Sequence, residues 1–311
     1  MLPTAAGRET SNTQVTRTGD SLVGRCAILG ARAVKRLRSR SVNVVDAITR
    51  NVPRVAGRGD GQPIVFAHGF GCDSNMWRFV APHYERDFKV VTFDHVGHGG
   101  SNSDAFDPDR YSSLDGYATD VIELCEALEL SDVVFVGHSV SAMIGAIACI
   151  RRPDLFDKLV MVGPSPRYID DAGYVGGFAE ADILEMLDSL DSNYLGWSTT
   201  MAPVIVGNAD RPELGDELTA SFCRTDPTVA KQFARVTFLS DNREDLARVT
   251  VPTLVLQCRS DVIAPIAVGE YVRDRLPHAQ YLLLEATGHC PNLSAPEQTA
   301  AAIDEFVGFA S

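Results

Sequence analysis

Val133-Val134-Phe135-Val136-Gly137-His138-Ser139-Val140-Ser141-Ala142-Met143 decides how this chain is read. An apolar run of β type feeds a sharp turn, and a small-residue run of helical type follows. Gly137-His138-Ser139-Val140-Ser141 departs from the G-x-S-x-G elbow pattern only at its last position. Ser141 is still small enough for a helix and a strand to approach closely. A serine at such a turn stands clear of the backbone on both sides. Five residues alone do not separate this from a serine in an ordinary strand-to-helix loop, so the surroundings decide.

The chain has 311 residues, enough for one large α/β domain or two small ones. An apolar content of 45% with 22% charged residues fits a soluble globular protein. The longest apolar stretches, such as Leu159–Val162 and Thr253–Leu256, are strand-sized, so no membrane span is expected. Cys26, Cys72, Cys125, Cys149, Cys223, Cys258 and Cys290 are scattered singly without a C-x-x-C pair. That argues against a disulfide framework or a zinc site and for free thiols in a cytoplasmic setting. Residues 1–40 hold eight basic residues against two acidic ones, a net +6, which leaves −19 on the other 271. A body this acidic is not expected to bind nucleic acid or an anionic membrane through its main surface.

Residues 1–41 are rich in Ser, Thr, Gly and Arg and are expected to form a poorly ordered basic extension. Leu22, Cys26, Leu29, Ala33 and Leu37 allow a basic amphipathic helix over 21–38. Beyond it the expected strands are Asn51–Ala56, Ile64–Ala67, Lys89–Phe93, Val133–Gly137 and Lys158–Val162, with helices over Ser74–Tyr84, Leu114–Leu128 and Ser141–Arg151. Short apolar strands alternating with helices mean a mostly parallel sheet covered on both faces. Residues 165–245 break this rhythm and read as an inserted helical cap, with helices over Ala179–Leu190, Asn193–Ala202 and Pro227–Leu239 among them. Alternation resumes over 246–311 with Thr253–Cys258, Pro265–Leu276, Gln280–Leu284 and Pro296–Phe309. The core therefore falls into two parts, 42–164 and 246–311, around the cap.

Acyl transfer by serine needs a base, a group that orients the base, and fixed donors for the oxyanion. In an open parallel sheet these gather beyond the carboxyl ends of the strands. Asp261 lies three residues past the strand ending at Cys258, and His289 follows the last strand in Ala286-Thr287-Gly288-His289-Cys290. An aspartate after a strand is more often a turn residue, and a histidine after a glycine is often only surface. Here the order Ser139, Asp261, His289 is the nucleophile–acid–base order of the α/β-hydrolase fold. The oxyanion donors expected by position are the backbone N–H of Val140 and that of Phe70, in the glycine-bent turn His68-Gly69-Phe70-Gly71. Asp94 and His98 are expected to shape the neighbouring loop. Phe178 and Trp197 are the cap aromatics expected to line an apolar pocket above Ser139. Clusters of metal ligands and a phosphate-binding loop are missing from the pattern, so neither a metal nor a cofactor is expected.

With these residues in view, the chain resembles the RsbQ-like branch of the α/β-hydrolases, which joins bacterial stress regulators to the plant karrikin and strigolactone receptors. The resemblance rests on His68-Gly69-Phe70-Gly71-Cys72-Asp73, Gly137-His138-Ser139-Val140-Ser141-Ala142, Val162-Gly163-Pro164-Ser165-Pro166-Arg167-Tyr168, Gly176-Gly177-Phe178, Ser221-Phe222-Cys223, Phe238-Leu239-Ser240-Asp241 and Gly288-His289-Cys290-Pro291. It implies a four-helix cap, a Ser139–His289–Asp261 triad, and a small apolar cavity for a small hydrophobic molecule. It also implies weak esterase-like turnover tied to signalling. In the bacterial system the partner is a PP2C-type phosphatase with a PAS domain, upstream of a stress sigma factor. Residues 1–40 have no counterpart in that family.

Two functions follow, and both need the same triad. One is hydrolysis of a small hydrophobic ester or lactone through an acyl-Ser139 intermediate. The other is ligand sensing whose output is contact with the phosphatase. Dehalogenases and epoxide hydrolases of this fold carry aspartate at the elbow, where this chain has Ser139. Cofactor-free oxygenases and peroxidases share the triad, but the cap motifs point away from them.

Overall fold

The computed structural model describes residues 46–309. The expectations for residues 1–41 lie outside the described residues. Seven strands form one sheet in the order β1-β3-β2-β4-β5-β6-β7. They are β1 (Arg54–Gly57), β2 (Pro63–Ala67), β3 (Lys89–Phe93), β4 (Val133–His138), β5 (Phe156–Val162), β6 (Thr253–Ser260) and β7 (Ala279–Thr287). Only β1 runs antiparallel to its neighbour, β3. It is also largely exposed, as befits an edge, whereas every residue of β4 is buried. An unbroken apolar run suits a strand covered on both faces, and two apolar cores lie on the two sides of the sheet.

The connections place the site. From β2 the chain moves outward to β3, then returns past β2 to β4. The loops leaving β2 and β4 therefore meet at a switch point beyond the strand ends. Register holds them level, with Ala67 beside Gly137 and His138 beside Val162. Helix α1 (Leu114–Ala127) starts where the Ser113 side chain accepts from Asp115 N, and α2 (Val140–Arg151) springs directly from the elbow.

Between β5 and β6 lie four helices: α3 (Glu180–Ser192), α4 (Tyr194–Val206), α5 (Pro212–Arg224) and α6 (Pro227–Phe238). α7 (Ile266–Arg275), the short α8 (Pro291–Ser294) and α9 (Pro296–Val307) are the remaining α-helices after β5 among the described residues. α5 was not among the helices named from the sequence. It opens with Pro212, which is suited to a first helical turn, and Leu214, Leu218 and Phe222 form a buried stripe.

Two expectations are corrected. Asn51–Ala56 is not one strand, because residues 46–51 are helical, Val52 turns the chain at φ 42°, and β1 begins only at Arg54. Ser74–Tyr84 is not one helix but two 3-10 turns, Ser74–Trp77 and Ala81–Tyr84. Pro82 stands at the start of the second turn, where it lacks the N–H that a continuing helix would need.

Candidate active site

Ser139 occupies the turn between β4 and α2 at φ 57° and ψ −123°. Positive φ is strained for a residue with a Cβ. It is held there by the Ser139 N–H, which donates to Val162 O at 2.8 Å. Gly137 lets the helix come this close: a Cβ on it would sit 2.3 Å from Ser141 O. The hydroxyl is thereby lifted off the backbone, as an elbow requires.

Ser139 Oγ lies 2.7 Å from His289 Nε2, and His289 Nδ1 lies 2.8 Å from Asp261 Oδ2. Asp261 Oδ1 accepts from the N–H groups of Ile263 at 2.8 Å and Ala264 at 3.1 Å. Burial pushes the Asp261 carboxyl up, but His289 and these two N–H groups outweigh it and hold it below its ordinary range. An ionised Asp261 fixes the imidazole with its proton on Nδ1, which leaves Nε2 to accept from the serine hydroxyl. The sequence placed all three residues at strand ends, and the fold brings them into one chain of hydrogen bonds.

The loop carrying His289 is docked on α4. His289 N–H donates to Ile205 O in α4 at 2.9 Å. Gly288, at φ 86°, packs so tightly that a Cβ would meet Val206 O at 1.6 Å. His138 Nε2 lies 2.7 Å from His289 O. Burial and the neighbouring His289 lower His138 to about 3, so it stays neutral and donates through Nε2.

Phe70 lies in the loop after β2, and Val140 follows Ser139 at the first position of α2. Neither backbone N–H is taken by an acceptor among the described residues. Two residues that carried no chemistry in the sequence reading support this arrangement. Ser141 Oγ donates to His68 O at 2.5 Å and lies 2.8 Å from His95 Nε2. The only earlier signal was the departure from glycine at the last elbow position. Asp94 and His98 do sit in the adjoining loop: Asp94 accepts from Ser74 N at 2.7 Å and Gly100 N at 2.8 Å, and His98 Nδ1 lies 3.1 Å from Val96 O.

The cavity over Ser139 is lined by Phe70, Cys72, His138, Ile205, Leu218, Thr237, Phe238, Ile263, His289 and Cys290. It leaves about 30 Å³ for the centres of water-sized molecules, room for one or two waters. Phe178 and Trp197, expected in this lining, are not part of it. They border a separate groove between α3 and α4 that opens about 570 Å³. Trp197 is set back behind Phe70 and Phe222, at ring-centroid distances of 6.1 and 5.4 Å. The cavity wall is built instead from α5, α6 and the end of α4. Among the described residues, no group of three or more His, Cys, Asp or Glu could hold a metal ion, and no helix is long and apolar enough to cross a membrane.

Comparison with known proteins agrees with this geometry. Residues 64–302 match the model of the Alpha/beta hydrolase family. The chain is 41% identical over 259 residues to the strigolactone esterase D14 of Arabidopsis thaliana, which covers 83% of this chain and 95% of that protein. It is likewise 41% identical over 245 residues to the karrikin insensitive 2 receptor CA of Petunia hybrida, covering 78% of this chain and 90% of the relative. A solved structure of a hydrolase from Oleispira antarctica superposes with a TM-score of 0.83 at 40% identity, covering 86% of this chain and 98% of that one.

Proposed function

This chain belongs to the alpha/beta hydrolase family and is an esterase-like member of it with a hydrogen-bonded Ser-His-Asp set, and from that premise we propose that it hydrolyses a small hydrophobic ester or lactone through an acyl-Ser139 intermediate. The observation that carries the reading is the unbroken chain Ser139–His289–Asp261 beside a mainly apolar cavity. Ser139 Oγ attacks the carbonyl carbon while His289 Nε2 takes its proton. Asp261 stabilises the imidazolium that forms. The oxyanion meets the N–H groups of Phe70 and Val140. Collapse expels the alcohol, protonated by His289. Water, deprotonated by the same nitrogen, then attacks the acyl carbon, and the bond to Ser139 breaks to release the acid as His289 returns the proton to Ser139 Oγ.

The test uses purified protein and short-chain p-nitrophenyl esters. Wild type should release p-nitrophenol, and Ser139→Ala should reduce the rate to background. A wild type no faster than Ser139→Ala overturns the reading.

A second reading adds a receptor role. Relatives named as receptors support a ligand-sensing protein, and the resemblance of the cap motifs to the RsbQ-like branch supplies the output, activation of a PP2C-type phosphatase carrying a PAS domain in stress signalling. In this reading hydrolysis serves to sense or produce the ligand. Stress signalling that persists in cells carrying Ser139→Ala would show that the chemistry does not drive that output.

A further inference from the structure

Thr237 lies in α6, lines the cavity over Ser139, and is 1% exposed. Its hydroxyl finds no hydrogen-bond partner among the described residues. A helical threonine has a ready acceptor in the carbonyl four residues back. Other cap hydroxyls use it: Ser198 donates to Tyr194 O at 2.7 Å, Thr199 to Leu195 O at 2.9 Å, Thr200 to Gly196 O at 3.0 Å and Thr219 to Gly215 O at 2.9 Å. Thr237 does not.

The wall around it is otherwise apolar, with Phe70, Ile205, Leu218, Phe238 and Ile263. Cys72 and Cys290 also face the cavity, but burial pushes both thiols up, so they stay neutral and are weak donors. A buried hydroxyl without a partner destabilises a fold, and valine would fill the same shape without that cost. A hydroxyl kept in such a place, on the wall of a catalytic cavity, is suited to bind what enters it.

We infer that Thr237 determines specificity: its hydroxyl donates to a second oxygen on the acyl part of the substrate. The substrate class is thus an oxygenated small ester or lactone, with its reacting carbonyl at Ser139 and a ketone or ether oxygen further along an otherwise apolar skeleton. This rests on the hydrolase reading proposed above. A site built to hydrogen-bond one substrate oxygen discriminates against the analogue that lacks it.

The test compares shape-matched p-nitrophenyl esters: methoxyacetate with butyrate, and 4-oxopentanoate with 4-methylpentanoate. The readout is the ratio of kcat/KM within each pair, so the intrinsic reactivity of each ester cancels between variants. Thr237→Val is expected to lower the oxygenated-to-plain ratio about 10-fold in at least one pair, the size of one lost hydrogen bond. Thr237→Ser should keep the wild-type ratio. Thr237→Val should melt no lower than wild type, which separates the effect from unfolding. Ratios unchanged within twofold in both pairs overturn the inference. So does an equal loss on both members of each pair accompanied by a lower Tm, which gives the hydroxyl a packing role. Failure of the hydrolase reading is distinct: turnover of all four esters would then survive Ser139→Ala.

Discussion

The Ser141 hydroxyl donates to the carbonyl oxygen of His68, and this one bond ties the helix behind the nucleophile to the loop that carries Phe70. A serine hydroxyl has one hydrogen, so the 2.8 Å contact with His95 Nε2 makes His95 the donor there. Helix α2, the loop after β2 and the loop after β3 are thus joined through one side chain. Ser141→Ala is expected to leave the fold intact and to lower kcat for a short p-nitrophenyl ester roughly 10-fold, with KM changed less than twofold. The size corresponds to one hydrogen bond lost in the transition state. Adding His95→Phe should cost little more, because both act through the same contact. An unchanged kcat in Ser141→Ala would reduce this tie to packing.

Asp261→Asn should be far more damaging than its size suggests. Oδ1 already accepts from Ile263 N and Ala264 N, so an asparagine keeps its carbonyl there and turns its NH2 toward His289 Nδ1. A donor facing Nδ1 forces the proton onto Nε2, which then cannot accept from Ser139. Loss on the order of 10⁴-fold in kcat is expected, the magnitude known for this tautomer error in serine proteases. Steady-state kinetics, with near-unchanged melting, checks it.

Stability should fall on mild acidification. His68, His95, His98 and His138 are all lowered, chiefly by burial, with His98 and His138 at about 3, although Asp73 and Asp94 lie near His68. The unfolded chain binds these protons near pH 6.5. Below that pH the unfolded state takes up more protons than the folded one, so stability is level above about pH 7 and declines from about pH 6.5 toward pH 3. By pH 5, His98 and His138 should each remove on the order of 2 kcal/mol. Urea midpoints at pH 7.5 and pH 5 measure this, and equal midpoints would contradict it. His98→Phe should flatten the dependence by about one proton.

The parallel core and the triad were legible because their signals are local. A fully apolar run such as Val133–Val136 can only be covered on both faces, and Ser139 and Asp261 each follow such a run, whereas His289 follows the half-exposed edge strand β7 and was found by its place after the last strand. The cavity wall was not legible, because it depends on how four helices lean on one another. Trp197 and Leu218 both sit on buried helix stripes, and only the packing of α4 against α5 decides that Leu218 faces Ser139 while Trp197 stands behind Phe222. His95 was equally hidden. Its partner Ser141 lies 46 residues away, and no spacing rule joins them.

Leu218 therefore offers a way to resize the site. It is 2% exposed in α5 and lines the cavity directly. The same helix is held to the core by Arg224, which donates to Asp73 at 2.5 Å, and by Arg78, which pairs with Glu217. Those anchors keep α5 from closing over the space that a truncated side chain leaves. Leu218→Ala should consequently retain much of its void and cost about 2–5 kcal/mol in stability. The void opens beside Ser139, so activity should shift toward longer acyl chains. The ratio of kcat/KM for p-nitrophenyl hexanoate over acetate should rise several-fold, since each further methylene buried contributes about 0.8 kcal/mol. Kinetics across acetate, butyrate and hexanoate measure the shift. A fall in stability with no change in chain-length preference would mean that the acyl group lies elsewhere, along Ile205 and Ile263, and not against α5.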